Sequence, residues 1–280
     1  MNLESWVTMI KRNAFIISDR TGVTAQALGN SLLSQFPDVD FEVETFTFID
    51  NANKAERARE QINQINHQAE HKPIVFATLV DDNIREVISS SECVFFDLFD
   101  TFVSPLEKVL GVESSHKMGQ SHGMKDASNY ATRISAMNYS LETDDGIDVD
   151  RYSRSDVIVV GVSRSGKTPT CLYLSLQYGV FAANYPLTSE ELGAAQLPDV
   201  LKNHKDKIIG LTIDPFRLQQ IRQERYNRDS YASAKQCQYE IAAAEAIFRK
   251  EKIPMLNSTQ MSVEELGAKI MQRAGLVKSI

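Results

Sequence analysis

The stretch 156–177, DVIVVGVSRSGKTPTCLYLSLQ, constrains the fold more than any other part of the chain. The apolar run at 157–160 predicts a short buried strand, and the leucines at 172, 174 and 176 indicate a helix after it. Between them lies GVSRSGKT, which has the GxxxxGK[ST] pattern of a phosphate-binding loop, or P-loop, in the strand-to-helix context that the pattern requires. The alternative, an ordinary glycine-rich turn, does not require that context.

The residue types of this loop suit the binding of phosphate. Gly161 and Gly166 allow backbone angles that let successive N–H groups turn inward at a helix N-terminus. Lys167 is expected to hold the terminal phosphates, Thr168 to bind Mg²⁺, and Pro169 fits the first helical turn. The residues predicted to bind the nucleotide phosphates are Gly161, Val162, Ser163, Arg164, Ser165, Gly166, Lys167 and Thr168.

Composition excludes several classes of protein. The 280 residues are 42% hydrophobic and 24% charged, as in a folded globular protein with one large domain or two ordinary ones. The net charge of −7 argues against a general nucleic-acid or membrane-surface binder.

Cys93, Cys171 and Cys237 have no metal or redox spacing, so we expect reduced thiols. With no signal peptide and no run of ~18 apolar residues, the sequence predicts a cytoplasmic protein.

Strands alternate with helices along the chain, which predicts an α/β protein with parallel sheets. In the first part the predicted strands are 13–18, 41–49, 73–79 and 93–98, with helices at about 22–35, 53–67 and 81–90 and a short one starting at Ser104-Pro105. A loop-like segment at 111–128 breaks the rhythm, and a helix at 130–141 follows it. We therefore predict an N-terminal parallel-sheet domain at 1–110, a linker and connecting helix at 111–150, and a P-loop kinase-like domain at 151–280.

The P-loop domain continues the alternation. We expect strands at 180–183, 207–213 and 253–256, a polar connection at 197–206, and helices starting at Asp214-Pro215, near Ala232 and at Ser262, where SVEE has the pattern of a capping box.

Two aspartates end predicted strands. Asp19, in DRTG, lies where open α/β sheets place ligands, but an ordinary helix N-cap by Asp19 or Thr21 is favoured. Asp214 occupies the position of an acidic residue that supports Mg²⁺ in many P-loop proteins, yet Asp-Pro is an equally good helix start. Both alternatives for Asp214 stay open.

Other polar residues are weaker candidates. Asp144 and Asp145 precede the P-loop strand, where one carboxylate could take a hydroxyl proton or hold a metal, although DDG alone is more often a turn. The arginines of the helix after 214 do not form one stripe, so most are expected on a solvated face, with one as a candidate to reach a phosphoryl group. These are Arg217, Arg222, Arg225 and Arg228. His116 and His122 are expected to be loop histidines, not metal ligands.

Longer segments resemble a known family. GVSRSGKTPTCLYLSLQYGVFAANYPL, with TDDG before it and IIGLTIDPFRLQQIRQER after it, is similar to the bacterial phosphoenolpyruvate synthase regulatory proteins, relatives of the pyruvate, phosphate dikinase regulatory proteins. FIISDRTGVTAQALGNSLLSQFP and MLNSTQMSVEE also match, so the resemblance covers nearly the whole chain. Many members have His where Thr143 stands and an acidic residue where Asn138 stands, which leaves the catalytic assignment to Asp144 or Asp145.

The resemblance implies a bifunctional enzyme whose partner is phosphoenolpyruvate synthase. Such enzymes phosphorylate a threonine of the target from ADP, and they remove that phosphate with inorganic phosphate, releasing pyrophosphate. The resemblance also implies a homodimer, which no heptad in the sequence supports. On this basis the expected catalytic set is Lys167, Asp144, Asp145 and Asp214, with Mg²⁺ on Thr168. A P-loop kinase of small molecules and a nucleotide-binding module without catalysis are the alternatives.

Overall fold

The chain forms two compact units, residues 1–123 and 124–280. The computed structural model describes residues 10–115, 127–225 and 231–276. Arg228, His116 and His122 therefore lie outside the described residues. The segment 124–150, predicted as part of a linker, belongs to the second unit, because the helix that it contains packs against the P-loop helix.

The first unit is a four-stranded parallel sheet of strand order β2-β1-β3-β4. Its elements in chain order are β1 (Ile10–Ser18), α1 (Val23–Leu33), β2 (Val39–Phe46), α2 (Ala52–Gln68), β3 (Ile74–Thr78), α3 (Asp82–Ser89), β4 (Val94–Asp97) and α4 (Asp100–Leu110). Alternate residues of the buried strands β1 and β3 face opposite sides. One face packs on α2 and α3 around Phe15 and Ile62, and the other packs around Ala14, Leu33 and Phe76.

The cap predicted for α1 is wrong. Gly22 is the N-cap residue, with φ of 76°, and no side chain caps this helix. The Asp19 carboxylate is buried at the sheet edge and accepts a hydrogen bond from Val80 N at 3.2 Å, and burial raises the pKa of Asp19. Asp19 therefore joins the carboxyl ends of two neighbouring strands, and a ligand-binding role for it stays a prediction.

Helix α4 also begins earlier than its proline suggested. Asp97 accepts hydrogen bonds from the N–H groups of Phe99 and Asp100, which starts the helix at Asp100 and leaves Pro105 inside it. The prediction placed Pro105 in the first turn of the helix, and it misplaced the boundary because the Asp97 carboxylate, at the end of β4, binds N–H groups several residues before the proline.

The second unit has a second four-stranded parallel sheet, of order β6-β5-β7-β8. Its elements are α5 (Ala127–Glu142), two 3₁₀ turns (Asp144–Gly146 and Val149–Arg154), β5 (Val157–Gly161), α6 (Lys167–Tyr178), β6 (Ala182–Pro186), α7 (Ser189–Ala194), α8 (Asp199–Lys202), a 3₁₀ turn (Lys205–Lys207), β7 (Ile208–Thr212), α9 (Pro215–Arg225), α10 (Ala234–Lys250), β8 (Met255–Asn257) and α11 (Val263–Arg273). The short helix α8 lies inside the segment predicted as a polar connection.

Helices cover both faces of this sheet, as expected for a parallel sheet. Val157 and Val159 pack with α6 and α11 on one face, whereas Ile158 and Val160 pack with α10 on the other. The predicted capping box is confirmed, because Ser262 and Glu265 cap α11 reciprocally. In the strand order of this sheet, β5 lies between β6 and β7.

Four further expectations concern the cysteines, membrane spans, location and oligomeric state. The three cysteines are free, and two of them are buried. Within the described residues, no helix is long and apolar enough to cross a membrane. The cytoplasmic location and the homodimer remain predictions.

Candidate active site around the P-loop

The predicted phosphate-binding loop lies between β5 and α6, as its pattern requires. Gly166 is the N-cap of α6 and has φ of 97°, a conformation that favours glycine. Arg164 also has a positive φ, of 74°, so the loop reverses direction at two left-handed residues. No side-chain hydrogen bond caps the start of α6, and a helix N-terminus of this kind favours the binding of an anion.

The first glycine of the loop is required by the neighbouring strand. A Cβ atom at Gly161 would lie 2.4 Å from the carbonyl oxygen of Leu211 in β7, which is closer than any side chain can come. The Ser165 Oγ is the next nearest atom to this point, at 3.0 Å. This hydroxyl is 1% exposed and has no hydrogen-bond partner among the described residues, a cost that a bound phosphate oxygen would remove.

Lys167 is buried at the base of the loop. Its side chain is 4% exposed, and Nζ donates to the carbonyl oxygen of Val162 at 3.0 Å. Burial lowers the pKa of Lys167 from its ordinary 10.5 to about 8, and the negative charges of Asp145 and Asp144 oppose that shift. The charged form of this amine is therefore destabilised by burial, and a bound anion would stabilise it.

The structure brings Asp144 to the P-loop. Thr168 Oγ1 donates to Asp144 Oδ1 at 2.8 Å, and the Nδ2 of Asn184 donates to the same oxygen at 2.5 Å. The Oδ1 of Asn184 in turn accepts from the backbone N–H of Asp145 at 3.1 Å. One amide side chain thus holds both aspartates of the DDG turn against the first turn of α6.

Asn184 was not among the predicted site residues. It lies in β6, next to the P-loop strand, and is fully buried. Its backbone carbonyl oxygen accepts a hydrogen bond from the Tyr152 hydroxyl at 2.9 Å. The sequence signal for Asn184 was a polar residue within the apolar strand AANYP. A buried amide side chain needs hydrogen-bond partners, so such a residue indicates a contact. That rule indicates a partner without saying which one.

The two aspartates differ in their surroundings. Asp144 is half-buried and its Oδ1 accepts two hydrogen bonds, whereas Asp145 is exposed and has a left-handed backbone with φ of 49°. Of the charges that act on the pKa of Lys167, the negative charge of Asp145 has the largest effect and raises that pKa. Asp144 is therefore fixed in place, and the carboxylate of Asp145 stays accessible beside the loop.

These oxygen atoms suit Mg²⁺. The Thr168 hydroxyl and the Asp144 carboxylate are hard oxygen donors in direct contact, and Mg²⁺ commonly takes one or two protein oxygens together with substrate phosphates and water. Among the described residues, no cluster of three or more acidic, histidine or cysteine side chains forms a metal cage. The protein side of the site therefore fits a metal that arrives with a phosphate ligand.

Arg222 is the exception among the arginines of α9, most of which were predicted to lie on a solvated face. Its side chain is completely buried, and one nitrogen lies 2.6 Å from Glu240 Oε2 in α10 and 3.1 Å from the Ser163 carbonyl oxygen of the P-loop. The guanidinium also packs over the ring of Tyr231, whose hydroxyl donates to Ser163 Oγ at 3.0 Å. Arg217 and Arg225 are exposed, as predicted.

The remaining predicted residues are placed as follows. Asp214 Oδ1 accepts from the N–H groups of Phe216 and Arg217, so the helix-cap interpretation is confirmed, and a magnesium role for Asp214 stays a prediction. The Thr143 hydroxyl is buried and donates to the Tyr139 carbonyl oxygen, so it is hydrogen-bonded to the last turn of α5.

The sequence of this chain matches a known protein family. A family model described as kinase/pyrophosphorylase matches residues 14–271. The chain belongs to the kinase/pyrophosphorylase family. A relative from Alkalilimnicola ehrlichii is 51% identical over 274 residues, covering 98% of this chain and 100% of its own. Its name is "Putative phosphoenolpyruvate synthase regulatory protein".

Two further relatives bear the same name. The one from Halorhodospira halophila is 50% identical and covers 96% of this chain and 98% of its own. The one from Legionella pneumophila strain Lens is 48% identical and covers 97% of this chain and 100% of its own. The kinase/pyrophosphorylase family match extends across both units of the chain, so neither unit is an addition peculiar to this protein.

Proposed function

We propose that this protein phosphorylates a threonine of phosphoenolpyruvate synthase from ADP, which inactivates that enzyme, and removes the phosphate with inorganic phosphate, which reactivates it. The names of the relatives and the family description support the target and the two directions. The observation that carries the proposal is the contact between Asp144 and Thr168, which places a carboxylate at the phosphate-binding loop.

In the kinase direction, the P-loop N–H groups and Lys167 hold the phosphates of ADP. The threonine oxygen of the target attacks the β-phosphorus, a new P–O bond forms, and the bond to the bridging oxygen breaks, so that AMP leaves. The hydroxyl proton passes to Asp145, the exposed carboxylate beside the loop. Lys167 gains its full charge as the anionic phosphates enter its buried site.

In the reverse direction, inorganic phosphate takes the place of the outgoing nucleotide phosphate. One of its oxygens attacks the phosphorus of the phosphothreonine, the bond to the threonine oxygen breaks, and that oxygen recovers a proton from Asp145. The products are pyrophosphate and free threonine. The same loop and lysine serve both directions because each places two linked phosphates beside a threonine oxygen.

Mg²⁺, held by Thr168 and Asp144, would neutralise phosphate charge when it is bound. Asn184 keeps Asp144 turned toward Thr168 and holds the backbone of Asp145. The protein thus positions one aspartate at the phosphates and leaves the other for the hydroxyl.

The test is the intact mass of phosphoenolpyruvate synthase incubated with this protein, Mg²⁺ and ADP, across the target's own phosphorylation states. We expect a gain of one phosphate that depends on ADP, followed by its loss with release of pyrophosphate when inorganic phosphate is added in excess. A Lys167→Ala protein is expected to lose both activities. If the target's mass never changes, the proposal is wrong, and a Lys167→Ala protein that keeps one activity contradicts a shared site.

A further inference from the structure

A cavity of about 250 Å³ lies directly beside the P-loop, on the side of β7 and β8. Ser165, Gly166 and Thr170 form its wall on the side of the loop and α6. This volume is near the lower end of the ~300–1,000 Å³ of small-molecule sites. It therefore fits a part of a nucleotide better than a whole one.

The opposite wall is mainly apolar. It includes Ile213 after β7, Ile221 in α9, and Met261 and Val263 at the start of α11. Its polar residues are Ser258 and Thr259, which follow β8, and Arg217 in α9, and Arg164 of the loop also lines the cavity. Apolar side chains with a small number of fixed polar groups are typical of sites for small molecules and cofactors.

The cavity is built together with the P-loop. The Ser258 hydroxyl lies 2.9 Å from the Ser165 carbonyl oxygen, so the segment after β8 is hydrogen-bonded to the loop. Thr259 Oγ1 accepts from the backbone N–H of Asp214 at 2.7 Å and donates to Asn257 Oδ1 at 2.5 Å. The wall formed by the β7 and β8 ends is thus held in place before any ligand enters.

The two sides of the loop differ in chemistry. Thr168 contacts Asp144 and Asn184 on the β6 side, whereas Thr170, about 200° further round α6, faces the cavity on the β7–β8 side. A phosphate chain in the loop therefore has carboxylates at one end and the cavity, with its apolar side chains, at the other. The unpartnered Ser165 hydroxyl belongs to both the loop and the cavity wall.

We propose that this cavity binds the nucleoside half of the phosphoryl donor, so that the target threonine must enter from the β6 side. The proposal rests on the proposed function, in which the P-loop holds the donor's phosphates. It assigns the β7–β8 side to base and ribose and the Asp144 side to the chemistry.

The test compares two ligands by titration calorimetry with Mg²⁺ present. ADP would occupy both the loop and the cavity, whereas pyrophosphate would occupy the loop alone. Val263→Trp fills the cavity from the first residue of α11, and Met261→Ala removes a wall contact without adding volume. Val200→Trp, at an exposed valine of α8, is the matched control.

We expect Val263→Trp to weaken ADP binding at least ~10-fold, and Met261→Ala to weaken it by ~3-fold or more, with pyrophosphate binding within ~2-fold of wild type in both. Val200→Trp should change neither. The proposal is overturned if ADP binding survives both substitutions, or if both ligands weaken equally. If wild-type protein binds neither ligand, the proposed function fails instead, and this result is distinct from the other two.

Discussion

At the scale of single residues, the buried amine of Lys167 couples function to stability. Its pKa of about 8 lies below the ordinary 10.5, so the unfolded chain binds a proton more tightly than the folded chain does. Holding the charged amine in its buried position therefore costs stability below pH 8, by roughly 2–4 kcal/mol. That cost fades as the pH rises from about 8 to 10.5.

Lys167→Met should therefore bind phosphate poorly and yet unfold at higher denaturant concentration. We expect a gain of roughly 1–3 kcal/mol in the free energy of unfolding at pH 7, shrinking toward zero near pH 10. Chemical denaturation at pH 7 and pH 10 measures both values. A methionine variant that is less stable than wild type at pH 7 would contradict the buried-charge argument.

The different surroundings of the two aspartates predict different kinetic defects. Asp145→Asn should lower kcat by ~10²–10⁴-fold with little change in ADP binding, because it removes the proton acceptor. Asp144→Asn should instead raise the Mg²⁺ concentration needed for half-maximal activity by ~10-fold or more.

The measurement is target phosphorylation as a function of ADP and Mg²⁺, with Asp150→Asn as the control because Asp150 is an exposed carboxylate near the same turn. Identical defects in the two variants would show that the aspartates share one role. A reversed pattern would exchange their assignments.

At the scale of elements, the strand-loop-helix order follows from local patterns. The apolar runs, the GKT signature and the SVEE cap are all short-range signals, and the strands of both sheets lie within a few residues of their predicted bounds. Asn184 and Arg222 could not be found in this way. Their partners are distant in sequence, 40 residues to Asp144 and 59 residues to Ser163, and no local rule selects among such pairs.

Arg222 and Glu240 link α9 and α10 to the P-loop through a buried ion pair. Arg222→Met should destabilise the second unit by roughly 3–5 kcal/mol, because it leaves Glu240 buried without its cation. The double variant Arg222→Met/Glu240→Met should recover part of that stability but still bind pyrophosphate weakly, since the contact to the Ser163 carbonyl is lost.

Thermal unfolding and pyrophosphate titration of both variants separate the two effects, and Arg225→Met provides an exposed control in the same helix. Full recovery of pyrophosphate binding in the double variant would mean that the arginine matters only for packing.

At the scale of the whole molecule, each unit has its own parallel sheet and its own core. The residues that build the P-loop site and the cavity all lie in 124–280. A fragment of residues 124–280 should therefore fold alone and bind ADP within ~3-fold of the full chain. Calorimetry and circular dichroism of the fragment test this, and a fragment that folds but does not bind ADP would assign part of the site to the first unit.

The hydrogen bonds of the DDG turn join residues that lie close together in the sequence, and this closeness affects how the site can be inherited. Asp144, Asp145, the P-loop, Thr168 and Asn184 all come from one stretch of the chain, since Asp144 and Asn184 are only 40 residues apart. A single recombination event that moves this stretch would carry the proposed chemistry intact, whereas the cavity wall opposite the loop, which includes Ile213, Ser258 and Val263, comes from later in the sequence. Exchange of genetic material between relatives could then change the recognised base while the reaction itself is passed on unaltered.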